Sequence, residues 1–156
     1  MTTITAWRIT PKKYRDTAFT GAGAKEYGGR FNSVGTAVAY TSDSLALATL
    51  ELLTKVNERR RLRDRVCIPV TFRETHVQTR NAAELPDGWD IRPYGPASQR
   101  VGDEWVRSDA SLVLCVPSVV LPHAYNYLIN PHHPDAQDLS VGDPEPLHLD
   151  PRIYRT

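Results

Sequence analysis

Cysteine is scarce in this chain of 156 residues: Cys67 and Cys115 are the only two, each set in an apolar run, with no CxxC pair. That scarcity excludes a disulfide framework and a cysteine-built metal site, and it suits small buried thiols in a reducing compartment. An excess of one charge is lacking too. Nineteen lysines and arginines against 18 aspartates and glutamates leave a net +1, so no global field recruits nucleic acid or an anionic membrane. No apolar stretch approaches the roughly 20 residues needed to cross a bilayer. The opening residues, Met1 to Trp7, have neither the basic segment nor the apolar core of a secretion signal. A soluble, cytoplasmic protein is expected. Repeats and low-complexity tails are also missing.

What is present fits one domain over residues 1–156, long enough for a proper core and too short for two ordinary domains. Ile4 to Ile9, Ala37 to Thr41, Val66 to Phe72 and Ser111 to Val116 have the composition of strands. Ser42-Asp43-Ser44 supplies N-cap residues for a helix from about Leu45 to Glu58, with Leu45, Ala48, Leu52 and Val56 as its buried stripe. Leu47 and Leu50 extend apolar character to the other side, which predicts burial nearly all round. Residues 59 to 65, five arginines with Leu62 and Asp64, read as a helix end and exposed link. The region 80 to 105 carries Pro86, Gly88, Pro93, Gly95, Pro96 and Gly102, and reads as loop with short helical pieces at most. Residues 126 to 134 and 142 to 151 are again rich in proline and turn formers. Short strands, one good helix and much loop predict an α+β fold with a mostly antiparallel sheet.

The chemistry concentrates in Gly28-Gly29-Arg30-Phe31-Asn32, Ala39-Tyr40-Thr41-Ser42 and the helix that contains Glu51. Arg30, Tyr40 and Glu51 follow at intervals of ten and eleven residues, across a glycine turn, a strand and a helix. A cation, an aromatic hydroxyl and an anion around one cleft suit an anionic substrate with a positively charged transition state. That points to a nucleotide and, among nucleotides, to NAD. Each residue also has a plainer reading. The glycines fit an ordinary hairpin turn, and Arg30 fits either a surface ion pair or a forked grip on phosphate or ribose oxygens. Tyr40 is a core aromatic or a ring lining the cleft. Glu51 is an exposed i,i+4 partner of Lys55 or a carboxylate facing a cavity. Ser118, after Pro117, is a turn residue or a hydroxyl at a strand end. As a covalent nucleophile it is poor, because no histidine base is identifiable beside it.

Taken together, these residues resemble the RES-domain family, toxins of bacterial toxin–antitoxin pairs whose defining arginine, glutamate and serine match Arg30, Glu51 and Ser118. Supporting matches are Trp7-Arg8-Ile9, Ala39-Tyr40-Thr41-Ser42, Gly102-Asp103-Glu104-Trp105 and the run from Asn126 to Asp135; Phe31 stands where many relatives carry tryptophan. The resemblance implies a fold similar to ADP-ribosyltransferase toxins of the diphtheria-toxin type, with a split sheet enclosing an NAD cleft. It implies NAD as substrate with no true cofactor and no metal. Catalytic roles fall to Arg30, Tyr40, Glu51 and Ser118, and NAD contacts to Arg8, Arg30, Phe31, Asn32 and Tyr40. The implied reaction breaks the nicotinamide–ribose bond, with ADP-ribose passing to water, to phosphate or to a specific host protein. The implied partner is an Xre-like antitoxin whose C-terminal region blocks the cleft. Three rival readings remain: nucleic-acid binding through the arginines of 59–65, a metal site at His132, His133 and Asp135, and a non-enzymatic binding domain, which lack of turnover with NAD would favour. The first lacks a net basic charge and the second lacks helical ligand spacing, so neither direct nucleic-acid binding nor a metal is expected.

Overall fold

A computed structural model describes residues 2–56 and 58–153. The chain begins with β1 (Thr3–Pro11) and the short helix α1 (Ala22–Tyr27), followed by β2 (Ala39–Ser42) and α2 (Leu45–Leu53). After them come β3 (Arg65–Arg73), β4 (Val77–Thr79), α3 (Pro96–Ser108), β5 (Val113–Pro117) and β6 (Tyr125–Ile129). Two short strands, β7 (Ser140–Val141) and β8 (Glu145–Pro146), close the order. No helix among the described residues is long and apolar enough to cross a membrane.

The expected α+β class holds, and the sheet is mostly antiparallel. Its strand order is β4-β5-β6-β2-β1-β3-β7, with β8 also on β3; β4 with β5 is the parallel pair. β1 and β3 pair along nine residues, from Thr3↔Arg73 to Pro11↔Arg65. β1 and β2, in contrast, meet at the single pair Trp7↔Ser42. The sheet therefore parts into two groups of strands at that point.

Alternation on the central strands buries both faces. Val38, Leu114, Val116 and Leu128 join Phe31, Leu85, Val101 and Trp105 in one core, while Ala39, Val113 and Ile129 join Ala6, Val70 and Phe72 in the other.

Three expectations need correction. The region 80–105 is not merely loop, because α3 runs 13 residues from Pro96. Pro96 sits where proline suits a helix start, and Ser98, Val101, Gly102 and Trp105 form its buried face. The turn-rich stretch after residue 125 contains β6, which pairs with both β2 and β5. Finally, α2 ends at Leu53 rather than near Glu58, and its fully buried residues are Leu47 and Ala48. Leu50 is 38% exposed, so the helix is not buried all round. Asn57 and the side chain of Arg59 lie outside the described residues.

Candidate active site

A cleft of about 810 Å³ opens where the sheet parts. Its lining includes Arg8 from β1, Tyr40 from β2, Glu51, Thr54 and Lys55 from α2 and its end, Arg30 and Phe31, Arg92 and Tyr94, and Asn126 from β6. Arg30 and Glu51, expected to converge, do share this cavity.

The arginine side is built by fixing backbone. Gly29 has no room for a side chain, since a Cβ there would lie 2.8 Å from the Tyr40 hydroxyl and 2.9 Å from Asn32 Oδ1. The Tyr40 hydroxyl donates to Asn32 Oδ1 (2.6 Å) and accepts from the Phe31 N–H (3.0 Å). Burial, the largest cause, pushes that phenol well above its ordinary pKa, so it stays a neutral donor. From α3, Ser98 Oγ donates to the Arg30 carbonyl, and Gln99 Nε2 donates to the carbonyls of Gly29 and Asn32. Asp103 accepts from the Ser33 N–H (3.0 Å) and from its hydroxyl (2.6 Å). The Arg30 guanidinium itself donates through one terminal nitrogen to the carbonyls of Trp89 (3.0 Å) and Ile91 (2.9 Å). Desolvation lowers its pKa and Glu51 acts in the opposite sense.

The carboxylate side is built differently. Ser44 caps α2 by accepting from the Leu47 N–H, and Glu51 lies one turn beyond the buried Leu47 and Ala48. Its Oε1 accepts from Ser118 Oγ (2.9 Å) and Asn126 Nδ2 (2.8 Å). Ser118 Oγ in turn accepts from the N–H groups of Val120 and Leu121, so its proton is committed to the carboxylate. The Glu51–Lys55 surface pair is not formed within 4.0 Å among the described residues.

Arg8 spans the parting of the sheet, donating to the Tyr40 carbonyl at 3.1 Å. Its Nε is buried with no hydrogen-bond partner, and burial lowers its pKa. Lys55, four residues after Glu51, is also lowered by desolvation, against the pull of Glu51 and with the repulsion of Arg8 and Arg30. Arg92 donates to the Val119 carbonyl (2.8 Å). Among the described residues, Glu51 is the only acidic one in a lining that holds Arg8, Arg30, Lys55 and Arg92. Such a cleft attracts an anion and presents one fixed negative charge to whatever part of it becomes positive.

Asn32 does not belong to the lining. It is fully buried, and its amide donates to the carbonyls of Ala24, Ser33 and Thr36, so it organises the turn and has no group left for a ligand. Phe31 is 3% exposed and belongs mainly to the core. The sequence does not mark Lys55, Arg92 or Asn126 as site residues; the i,i+4 relation of Lys55 to Glu51 is the available signal for the first. Around the arginine run, Arg60 pairs with Glu58 (2.5 Å) and Arg65 Nε donates to the Arg61 carbonyl. The His133 ring bridges the Asp109 carbonyl and the Asp135 N–H.

The RES-domain family model matches residues 5–150. The chain is similar to the Prs ADP-ribosylating toxin of Sphingobium sp. (strain YBL2), with 36% identity over 98% of each chain. It is also similar to Toxin Res of Yersinia enterocolitica, with 32% identity over 94% of this chain and 97% of that one. Among solved structures it resembles the M. tuberculosis MbcT-MbcA toxin–antitoxin complex, with a TM-score of 0.75 at 17% identity over 94% of this chain and 85% of the other; at that identity the likeness speaks for the fold.

Proposed function

The chain belongs to the RES-domain family, and from that premise we propose that it is a toxin that consumes NAD by breaking the nicotinamide–ribose bond. The observation that carries this reading is the charge pattern of the cleft, one carboxylate among Arg8, Arg30, Lys55 and Arg92. A dinucleotide carries two negative charges on its diphosphate, which the cations bind. Nicotinamide leaves with the electron pair of the C1′–N bond, neutralising its ring, and C1′ becomes an oxocarbenium-like centre. Glu51 bonds the ribose 2′-hydroxyl and stabilises that centre. An acceptor oxygen then attacks C1′ and loses its proton to solvent. Arg30 anchors phosphate or ribose oxygens with the guanidinium N–H groups not given to Trp89 and Ile91. The Tyr40 ring packs against the nicotinamide end while its hydroxyl holds the turn, and Ser118 orients Glu51. NAD is substrate, and the residues ask for no further cofactor.

On this reading the parted sheet is an ADP-ribosyltransferase-like scaffold, and the protein acts in the cytoplasm. Its partner is an antitoxin, a reading supported by the likeness to a chain solved in a toxin–antitoxin complex; we take that antitoxin to be of Xre type, with its C-terminal region in the cleft. A second reading is mono-ADP-ribosyl transfer to a specific host protein, which the name of the Sphingobium relative favours. Nucleic-acid binding through residues 59–65 is disfavoured, because Arg60 and Arg65 already have protein partners.

The test incubates purified protein with NAD alone, with phosphate, and with cell extract, and identifies products by mass. Free nicotinamide is expected in each case. Its companion, ADP-ribose, ADP-ribose-1″-phosphate or a labelled protein, names the acceptor. Intact NAD under all three conditions would sink the proposal.

A further inference from the structure

We propose that Asn126, locked by Ser42, is a positioning residue that sets which oxygen of Glu51 meets the substrate; this rests on the NAD-cleavage reading above. Ser42 and Asn126 face each other across the β2–β6 ladder. Ser42 Oγ donates to Asn126 Oδ1 at 2.7 Å, and Asn126 Nδ2 donates to Glu51 Oε1 at 2.8 Å. A side-chain amide can rotate by half a turn and exchange its oxygen for its nitrogen. Rotated, it would point a carbonyl oxygen at a carboxylate. Ser42 is buried, and its hydroxyl holds the orientation that donates.

The register makes this arrangement possible. Ser42 is also the β2 residue of the Trp7↔Ser42 pair, the one ladder pair that joins β1 to β2. The relay from Ser42 through Asn126 to Glu51 therefore starts at the fixed base of the cleft. With Ser118, it gives Oε1 two donors whose own orientations are each fixed by a further hydrogen bond. Oε2 receives no protein hydrogen bond among the described residues, and it is the oxygen left for the ribose. Holding a charged group within a narrow range of positions matters to the chemical step more than to ground-state binding.

The test compares Asn126→Ala, Ser42→Ala and the double variant with wild type, measuring kcat and KM for nicotinamide release together with thermal unfolding. Asn126→Ala should lower kcat by about 10- to 100-fold, in the range of other supporting hydrogen bonds, with KM within about 3-fold of wild type. Ser42→Ala should lower kcat less, and adding it to Asn126→Ala should lower it no further. Unchanged kcat, a rise in KM alone, or two effects that multiply would overturn the proposal. Nitrogen-15 NMR of the Asn126 side-chain amide, in folded wild type and in Glu51→Gln, reads the relay without turnover or loss of strand β6. The resonance should move when the carboxylate becomes an amide; a resonance that stays in place overturns the relay. Absence of nicotinamide release from wild type would defeat the NAD reading instead, leaving the NMR result to decide the relay.

Discussion

The two walls of the cleft hold their charges by opposite means. On one wall, Tyr40, Asn32, Ser98, Gln99 and Asp103 grip the main chain of residues 29–33, and the Arg30 guanidinium rests on the carbonyls of Trp89 and Ile91. On the other, a nine-residue helix carries Glu51, and two side-chain donors grip the charged group itself. The first wall is an outcome of folding, so damage to its packing removes stability and substrate binding together. The second is a local chemical device, and altering it should change rate while the fold persists.

The largest expected effect breaks the second wall alone. Glu51→Gln keeps shape and removes charge, so kcat for nicotinamide release should fall about 10²- to 10³-fold by analogy with lost transition-state donors, with the unfolding temperature near wild type. Gly102→Ala tests the first wall. A Cβ at Gly102 would lie 1.5 Å from the Phe31 carbonyl oxygen, so α3 and the arginine turn must separate. A loss of about 3 kcal/mol, or roughly 10 °C in Tm, should accompany a raised KM. Equal stability in the two variants would erase the contrast between the walls. Ser118→Ala should cost about 10-fold in kcat, the worth of one hydrogen bond to a charged group, with little change in KM. Lys55→Met is the mildest, raising KM for NAD by about 3- to 10-fold as one ion contact at a partly open cleft is lost. Burial and the neighbouring arginines lower the Lys55 pKa, so its ammonium loses its proton at lower pH than an exposed lysine. KM in wild type should therefore begin to rise earlier on the alkaline side than in Lys55→Arg.

The helix of the second wall was far more legible from sequence than the helix of the first. Ser44 as cap, the apolar run of α2 and Glu51 beside Leu47 and Ala48 are local signals, and they led to the right helix, although Val56 drew its end too far. β1, β2, β3 and β5 were readable from their apolar runs. Distant contacts complete both walls, Ser118 and Asn126 reaching Glu51 from 67 and 75 residues away, while partners 59 to 70 residues away hold the first wall. Its helix was hidden by Pro93, Gly95, Pro96 and Gly102, counted as breakers although Pro96 begins α3 and Gly102 is where it meets the Phe31 backbone. β6 was hidden by Asn126 and the Asn130-Pro131 turn, despite the strand-forming Tyr127, Leu128 and Ile129 between them. Asn32 was assigned to the substrate from its place in the motif, and only the structure reveals an amide spent entirely on main-chain carbonyls.

The most direct measurement of the central claim is the structure of the Glu51→Gln variant soaked with NAD. The account predicts the diphosphate among Arg8, Arg30, Lys55 and Arg92, with the nicotinamide ribose within hydrogen-bond reach of residue 51. A dinucleotide bound outside the cleft, or one whose ribose turns away from residue 51 toward solvent, would contradict it.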